Sequence, residues 1–249
     1  MSALLIGGCA LACAVAGSMV PPFAYRLSVP YGEPARGSCM GCAAPLPSGR
    51  AGWLRSRCGD CGRRLGPHRW MTGAIAGLAG GLLAAALGPV AVLPLFLGIG
   101  LLGVLLGAID VACHRLPDPL VLPALGLTPV LLAGVATLTG GWDDWLRALL
   151  AFLLLGSVFT GMALLPGGGF GMGDAKVAAL LGWYLGWLGW PQVLFGAVLP
   201  WMVNAPLLLV LLASGRVGWK TRMAFGPPLL IGWLLAVLTY GHTALIRHW

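Results

Sequence analysis

The sequence predicts an all-α polytopic integral membrane protein, with about eight transmembrane helices and a small cysteine-bearing cytoplasmic loop between the first two. Composition is the first reason. Of 249 residues, 59% are hydrophobic and 9% charged, and mean hydropathy is +0.91. An average soluble domain carries about 25% charged residues, so 15 basic and 7 acidic side chains cannot build a water-facing surface. The second reason is that long stretches carry no charge, and the third is a loop-by-loop asymmetry of the basic residues. A soluble enzyme and a soluble nucleic-acid binder are thereby excluded. The 40 Gly and 19 Pro exclude one long coiled coil.

The spans follow in chain order. Met1 to Tyr25 is uncharged and lacks the basic start of a signal peptide, so it reads as a retained first span. Cys9 and Cys13 within it read as small apolar packing residues. Trp70 to Ile109 and Val177 to Gly215 are uncharged over 40 and 39 residues. One span needs about 20 residues, so each is read as a hairpin of two, broken at Gly88-Pro89 and at Trp190-Pro191. Pro119–Trp142, Ala148–Gly173 and Met223–Ile246 supply one span each. The sixth span, starting after Asp174, is the shortest. Gly73-x₃-Gly77-x₃-Gly81 and Gly182-x₃-Gly186 mark helix faces built for close packing.

Basic residues set the orientation. Arg26, Arg36, Arg50, Arg55, Arg57, Arg63, Arg64 and Arg69 lie between the first two spans. Threading eight spans puts Arg115, Lys176, Arg216, Lys220 and Arg222 on the same side, leaving only Arg147 and Arg247 opposite. The positive-inside rule places the thirteen in the cytoplasm and both termini outside. Basic loops against an anionic inner leaflet account for the net charge of +8 without nucleic acid. The expected address is the inner (cytoplasmic) membrane, multi-pass.

The segment from Pro21 to Arg69 is rich in Pro, Gly and Arg, and too small to bury a core unaided. It holds Cys39-Met-Gly-Cys42, then fifteen residues, then Cys58-Gly-Asp-Cys61. That spacing is a two-knuckle zinc pattern. Four thiolates close a tetrahedral site with no open position, so the metal is expected to be structural. A cytoplasmic address argues against disulfides.

There are seven acids. Glu33, Asp60, Asp143 and Asp144 read as solvated loop residues. Asp118, between Pro117 and Pro119, reads either as a helix N-cap or as part of a site. Asp110 ends the apolar run of the third span, and Asp174 lies in Gly167-Gly-Gly-Phe-Gly171-Met-Gly173-Asp174-Ala-Lys176 at the mouth of the sixth. Topology puts both at one depth on one face. Ionisable residues at spans are costly and functional by default. Two such carboxylates can share one proton, one activating water while the other polarises a peptide carbonyl. On the residues alone another reading stands beside it: Asp174 caps its helix and Asp110 pairs with Arg115 or Lys176.

Gly-x-Gly-Asp at a span mouth, preceded by Ile109-Asp110-x₆-Pro117-Asp118-x-Leu120, resembles the type IV prepilin leader peptidases. So do Gly17-Ser18, Tyr25-Arg26-Leu27, the paired knuckles, and Phe225-Gly226-Pro227 opening the last span. The resemblance implies that Asp110 and Asp174 are a catalytic aspartyl pair. It also implies cleavage of the basic leader of a prepilin or pseudopilin at the cytoplasmic face. Many members of the family also methylate the new N-terminus with S-adenosylmethionine. Met40 stands where the family usually has Pro, and Asn is missing from Pro21-Pro22-Phe23-Ala24. Gly66 to Gly73 lacks the acid of the family's Tyr-Pro-x-x-Glu. The peptidase motifs are therefore intact and the methylation-associated segment is altered.

The expected division is a first transmembrane helix (1–20), a cytoplasmic zinc-binding loop (21–70) and a transmembrane peptidase domain (71–249). Because spans satisfy their backbone groups internally, the aspartates are expected to stand without the loop. Two readings from other classes use the same residues. One is a proton- or cation-coupled transporter working through both aspartates; the other is a non-catalytic assembly protein docking through the zinc loop. A transporter usually shows repeated halves. Here one half carries the knuckles and the other Gly-x-Gly-Asp. A docking protein has no need of paired aspartates.

Overall fold

The computed structural model describes residues 2–30, 32–165, 171–214 and 225–246. Its helices are α1 (Ser2–Gly17), α2 (Val20–Leu27), α3 (Arg50–Trp53), α4 (Arg69–Leu87), α5 (Leu93–Cys113), α6 (Asp118–Thr139), α7 (Trp142–Leu164), α8 (Met172–Leu188), α9 (Trp190–Ala213) and α10 (Gly226–Ile246). Extended pairing among the described residues is limited to two isolated bridges in the cysteine loop. A chain in lipid must satisfy its backbone internally, and helices do so.

Helices α4, α5, α6, α7 and α9 are each long and apolar enough to cross a membrane. A sixth arises if α1 and α2, bent by 42° at their junction, form one broken span. Helix α8 has 17 residues, and α10 is a shorter apolar helix over Gly226–Tyr240 by the same measure. Both expected hairpin breaks are present. Gly88 ends α4 at φ +69°. The second break falls at Gly189, one residue before the expected pair, because Pro191 fits the first turn of α9, where no N–H is needed.

The shortest expected span is the centre of the bundle. Every α8 residue from Val177 to Trp187 is buried. A helix apolar all round belongs inside protein rather than at a lipid face, so α8 need not match the bilayer thickness itself. Its neighbours are α7, α6, α9 and α10. Beside it, the Phe96 ring meets Tyr184 edge-on at 5.1 Å and stacks on Trp233 at 6.1 Å.

The small-residue faces pack helices within the chain. Gly77 and Gly80 of α4 sit against Ala10, Ala14 and Cys13 of α1, while Gly182 and Gly186 of α8 sit against Ala148 and Ala151 of α7. A Cβ on Gly186 would lie 2.6 Å from the Ala151 Cβ and 2.7 Å from the Ala148 Cα. Arg147 extends this contact: its Nε donates to the Gly186 carbonyl (2.7 Å) and its Nη2 to the Trp187 carbonyl (2.9 Å). It thereby satisfies the open end of α8. Asp144 holds Arg147 from the first turn of α7, so Asp143 and Asp144 are helical rather than loop residues.

One boundary differs from expectation. Pro21 and Pro22, which read as the start of the loop, occupy the first turn of α2, where proline costs no hydrogen bond. Val20, Pro21, Pro22, Ala24 and Arg26 are buried. The lysine and arginines expected near 216–222, and Arg247, lie outside the described residues.

Gly186→Leu is expected to overpack the α7–α8 contact and destabilise the protein by roughly 1–3 kcal/mol, read as earlier thermal unfolding in detergent. Gly134→Leu is the control, since a Cβ at Gly134 meets nothing within 4 Å.

Candidate metal centre and paired aspartates

The two knuckles share one backbone design. Ala43 N–H donates to the Cys39 carbonyl (2.9 Å), and Gly62 N–H to that of Cys58 (3.2 Å). Cys39 N–H reaches the Ala44 carbonyl and Cys58 N–H the Arg63 carbonyl, both at 2.9 Å. Two residues further on, Leu46 and Leu65 bond back to Gly37 and Ser56 and are buried with Cys39 and Cys58. The turn requires a left-handed residue after each second cysteine, Ala43 at φ +58° and Gly62 at φ +68°. That requirement was unread in the sequence, since alanine gives no left-handed signal.

The design gathers four sulfurs from two distant turns within 4.8 Å of one another. Cys39 and Cys61 are 3.7 Å apart and Cys42 and Cys58 3.6 Å. Four thiolates about 2.3 Å from a tetrahedral zinc lie about 3.8 Å from each other. The donor set and its spacing therefore fit a metal such as zinc, and all four cysteines are free. The Gly41 amide, with that of Cys42, pulls the Cys39 thiol down to about 6. The Ala44 amide favours the Cys42 thiolate, but the surrounding thiols and burial outweigh it and push that group up to about 12. A metal bound here would take the place of thiol protons.

Asp110 and Asp174 lie at the same end of the bundle: Asp110 in the last turns of α5, and Asp174 beside Gly173, which packs against Leu116 in the turn that follows α5. Asp110, 3% exposed, is carried by the last turns of α5. Its Oδ2 accepts the Gly226 N–H at 2.9 Å, from the start of α10. A Cβ on Gly226 would stand 2.6 Å from that oxygen, so only glycine admits the carboxylate there. Asp174 is the third residue of α8, half-buried, and its Oδ2 accepts the Gly171 N–H at 3.3 Å. The helix-capping reading of Asp174 is therefore met. Residues 166–170 of the glycine-rich run lie outside the described residues.

Other expected pairings differ. Lys176 Nζ bonds Asp118 Oδ1 at 2.6 Å, joining the starts of α8 and α6. Asp118 is the first helical residue, Pro117 holds the cap position, and no side-chain cap bond forms, so Asp118 is a partner of Lys176 rather than an N-cap. Arg115 reaches the Val29 carbonyl at 2.9 Å. His114, left-handed at φ +54°, ends α5, its N–H donating to the Asp110 carbonyl at 2.7 Å. The Gly226 amide was the contact missed; its signal was a Gly-Pro pair opening a span without a cap. A cavity of about 440 Å³, lined by Arg147, Trp187 and Tyr240, lies at the opposite end of the bundle.

Residues 96–242, from α5 into α10, match the Type IV leader peptidase family. Among curated proteins, the chain is 32% identical over 225 residues to "Prepilin leader peptidase/N-methyltransferase" of Burkholderia pseudomallei (strain 1026b), covering 85% of this chain and 68% of that one. The Aeromonas hydrophila protein of the same name is 32% identical over 232 residues, covering 86% and 73%. The one from Klebsiella pneumoniae is 38% identical over 149 residues, covering 56% and 60%. No solved structure matches.

Purified protein prepared without chelators is expected to carry about one zinc per chain by elemental analysis, lost in Cys58→Ser. Asp118→Asn should cost at most about 1 kcal/mol in thermal unfolding, because the Lys176 pair is partly exposed.

Proposed function

The chain belongs to the type IV leader peptidase family, and we propose that it is a membrane-embedded aspartyl endopeptidase removing the basic leader of prepilin-like proteins at the cytoplasmic face. The observation that carries the reading is the placement of Asp110 and Asp174, on different helices, at one end of an apolar bundle. Membership of a peptidase family supports a hydrolytic role for these two carboxyls over the transport role open to them on sequence alone.

Two adjacent carboxyls in a low-dielectric site hold one proton between them. The ionised member takes a proton from water, whose oxygen attacks the scissile carbonyl carbon. The protonated member donates its proton to the carbonyl oxygen, giving a neutral tetrahedral intermediate. The C–N bond then breaks, the amine leaves with a proton returned from one carboxyl, and the new carboxyl group forms. The amides of Gly226 and Gly171 each hold one oxygen of this pair, fixing its geometry before substrate arrives.

The proposal includes eight spans with the loop and both aspartates facing the cytoplasm. It divides the chain into a first helix (1–20), a zinc-binding loop (21–70) and a peptidase domain (71–249). Zinc at Cys39, Cys42, Cys58 and Cys61 is a structural cofactor in this reading. The relatives' names include N-methyltransferase. The cavity beside the knuckles is about 130 Å³, below the roughly 300 Å³ at which small-molecule pockets begin. No residue is therefore assigned to S-adenosylmethionine.

Coexpression with a candidate prepilin, followed by N-terminal sequencing and mass spectrometry of the product, tests the reading. Asp110→Asn and Asp174→Asn should each abolish cleavage in protein that still inserts. Full cleavage by a stably expressed Asp174→Asn variant would overturn the mechanism. Gly226→Ala should lower turnover roughly 10²-fold by displacing Asp110. A product heavier by one methyl group would add the second activity.

A further inference from the structure

We propose that Tyr25 and Arg26 are positioning residues that tie the four-cysteine ribbon to the helix carrying Asp110, so that peptidase turnover depends on the bound metal. The proposal rests on the aspartyl peptidase reading.

Helix α2 lies between the two sites. On one face, Val20 and Ala24 pack on Ile109, the neighbour of Asp110, and all three are buried. On the other, the chain is bolted to the ribbon. Tyr25 Oη accepts the Met40 N–H of the first knuckle at 2.8 Å, and its ring packs against the cluster of Cys39, Leu46, Cys58 and Leu65. The Arg36 guanidinium lies over that ring at 4.8 Å and donates to the Ser28 carbonyl at 2.8 Å. Gly66, just after the second knuckle, approaches the Pro21 backbone too closely to admit a Cβ.

Arg26 makes this contact conditional. Its side chain is 4% exposed, and neither salt bridge among the described residues includes it. Nη2 donates to the carbonyls of Pro47 (2.8 Å) and Gly52 (3.2 Å), and the guanidinium sits 4.8 Å over the Trp53 ring. Its Nε is buried without a partner. All three supports belong to the segment joining the knuckles, 47–53. A buried cation held by carbonyls and an indole is tolerable only while they stay in place.

That segment has little core of its own, and small metal domains of this kind unfold when the metal leaves. Loss of the metal would withdraw the carbonyls and the indole from Arg26. An unsupported buried guanidinium would draw α2 toward water, and Ile109 would lose its packing beside Asp110. The ribbon is therefore coupled to the aspartates, against the sequence expectation that they stand apart.

Coupling of this kind must be reciprocal. The experiment uses full-length protein in detergent, zinc as the metal and a prepilin-like substrate, with Arg26→Met, Arg26→Lys and Tyr25→Phe. Chelator competition should show zinc held about tenfold less tightly by Arg26→Met than by wild type, a typical coupling factor. This measurement needs no peptidase activity. Stripping zinc from wild type should lower kcat about tenfold with KM within about twofold, and readdition should restore it. In Arg26→Met, stripping should lower kcat by less than a further twofold, because the tie is already cut. Arg26→Lys should recover part of the loss, since it keeps the charge but not the fork. If Arg26→Met fails to insert, Tyr25→Phe, which removes one hydroxyl, should show the same pattern at smaller size. Unchanged zinc affinity in the variants, or full kcat in zinc-free wild type, overturns the proposal. Cleavage by Asp110→Asn would sink the aspartyl reading while leaving the zinc-affinity shift intact.

Discussion

A buried carboxylate has to be solvated by the protein itself, and the Gly226 N–H does this for Asp110. One hydrogen bond at 2.9 Å makes the end of α5 and the start of α10 a single unit. It forces glycine at 226, and it sets where Asp110 can stand relative to α8. Asp174 obeys the same constraint locally, taking its amide from the residue before its own helix. Neither carboxylate is neutralised by a cation among the described ion pairs, because Lys176 is held by Asp118.

Close packing makes this geometry rigid. Helix α8 carries Asp174 and is buried along its length, so its position follows from side-chain volumes rather than from lipid. Small residues bring α7 within reach of it. Arg147 closes its far end by satisfying two carbonyls of the last turn, which lack a partner within the helix. A short central helix locked at both ends is a firm support for a carboxyl at its first turn.

The ribbon solves a different problem. A loop of this size cannot bury enough apolar surface to order itself; four convergent sulfurs and two leucines are its means of folding. Its contacts with Tyr25 and Arg26 give it an effect beyond its own stability. Order in the water-exposed loop is passed to a helix that packs beside Asp110.

Several features were legible in the sequence because they are local. Uncharged runs of 24 to 40 residues give helices at the expected places, with Gly88 and the Gly189–Pro191 corner between hairpin partners. The cysteine spacing gives the four-sulfur cluster, and the small-residue repeats give the tight helix faces. What the tertiary structure alone decided is the identity of the partners. Asp110 takes the amide of Gly226 rather than Arg115 or Lys176; Lys176 takes Asp118; Arg26 takes two carbonyls and an indole. Proline in a first turn and proline in a loop are the same letters, so α2 was hidden in a segment that reads as loop. Periodicity and spacing record what a residue does to its near neighbours. A hydrogen bond between residues 110 and 226 depends on how helices are laid against one another, and only packing in three dimensions sets that.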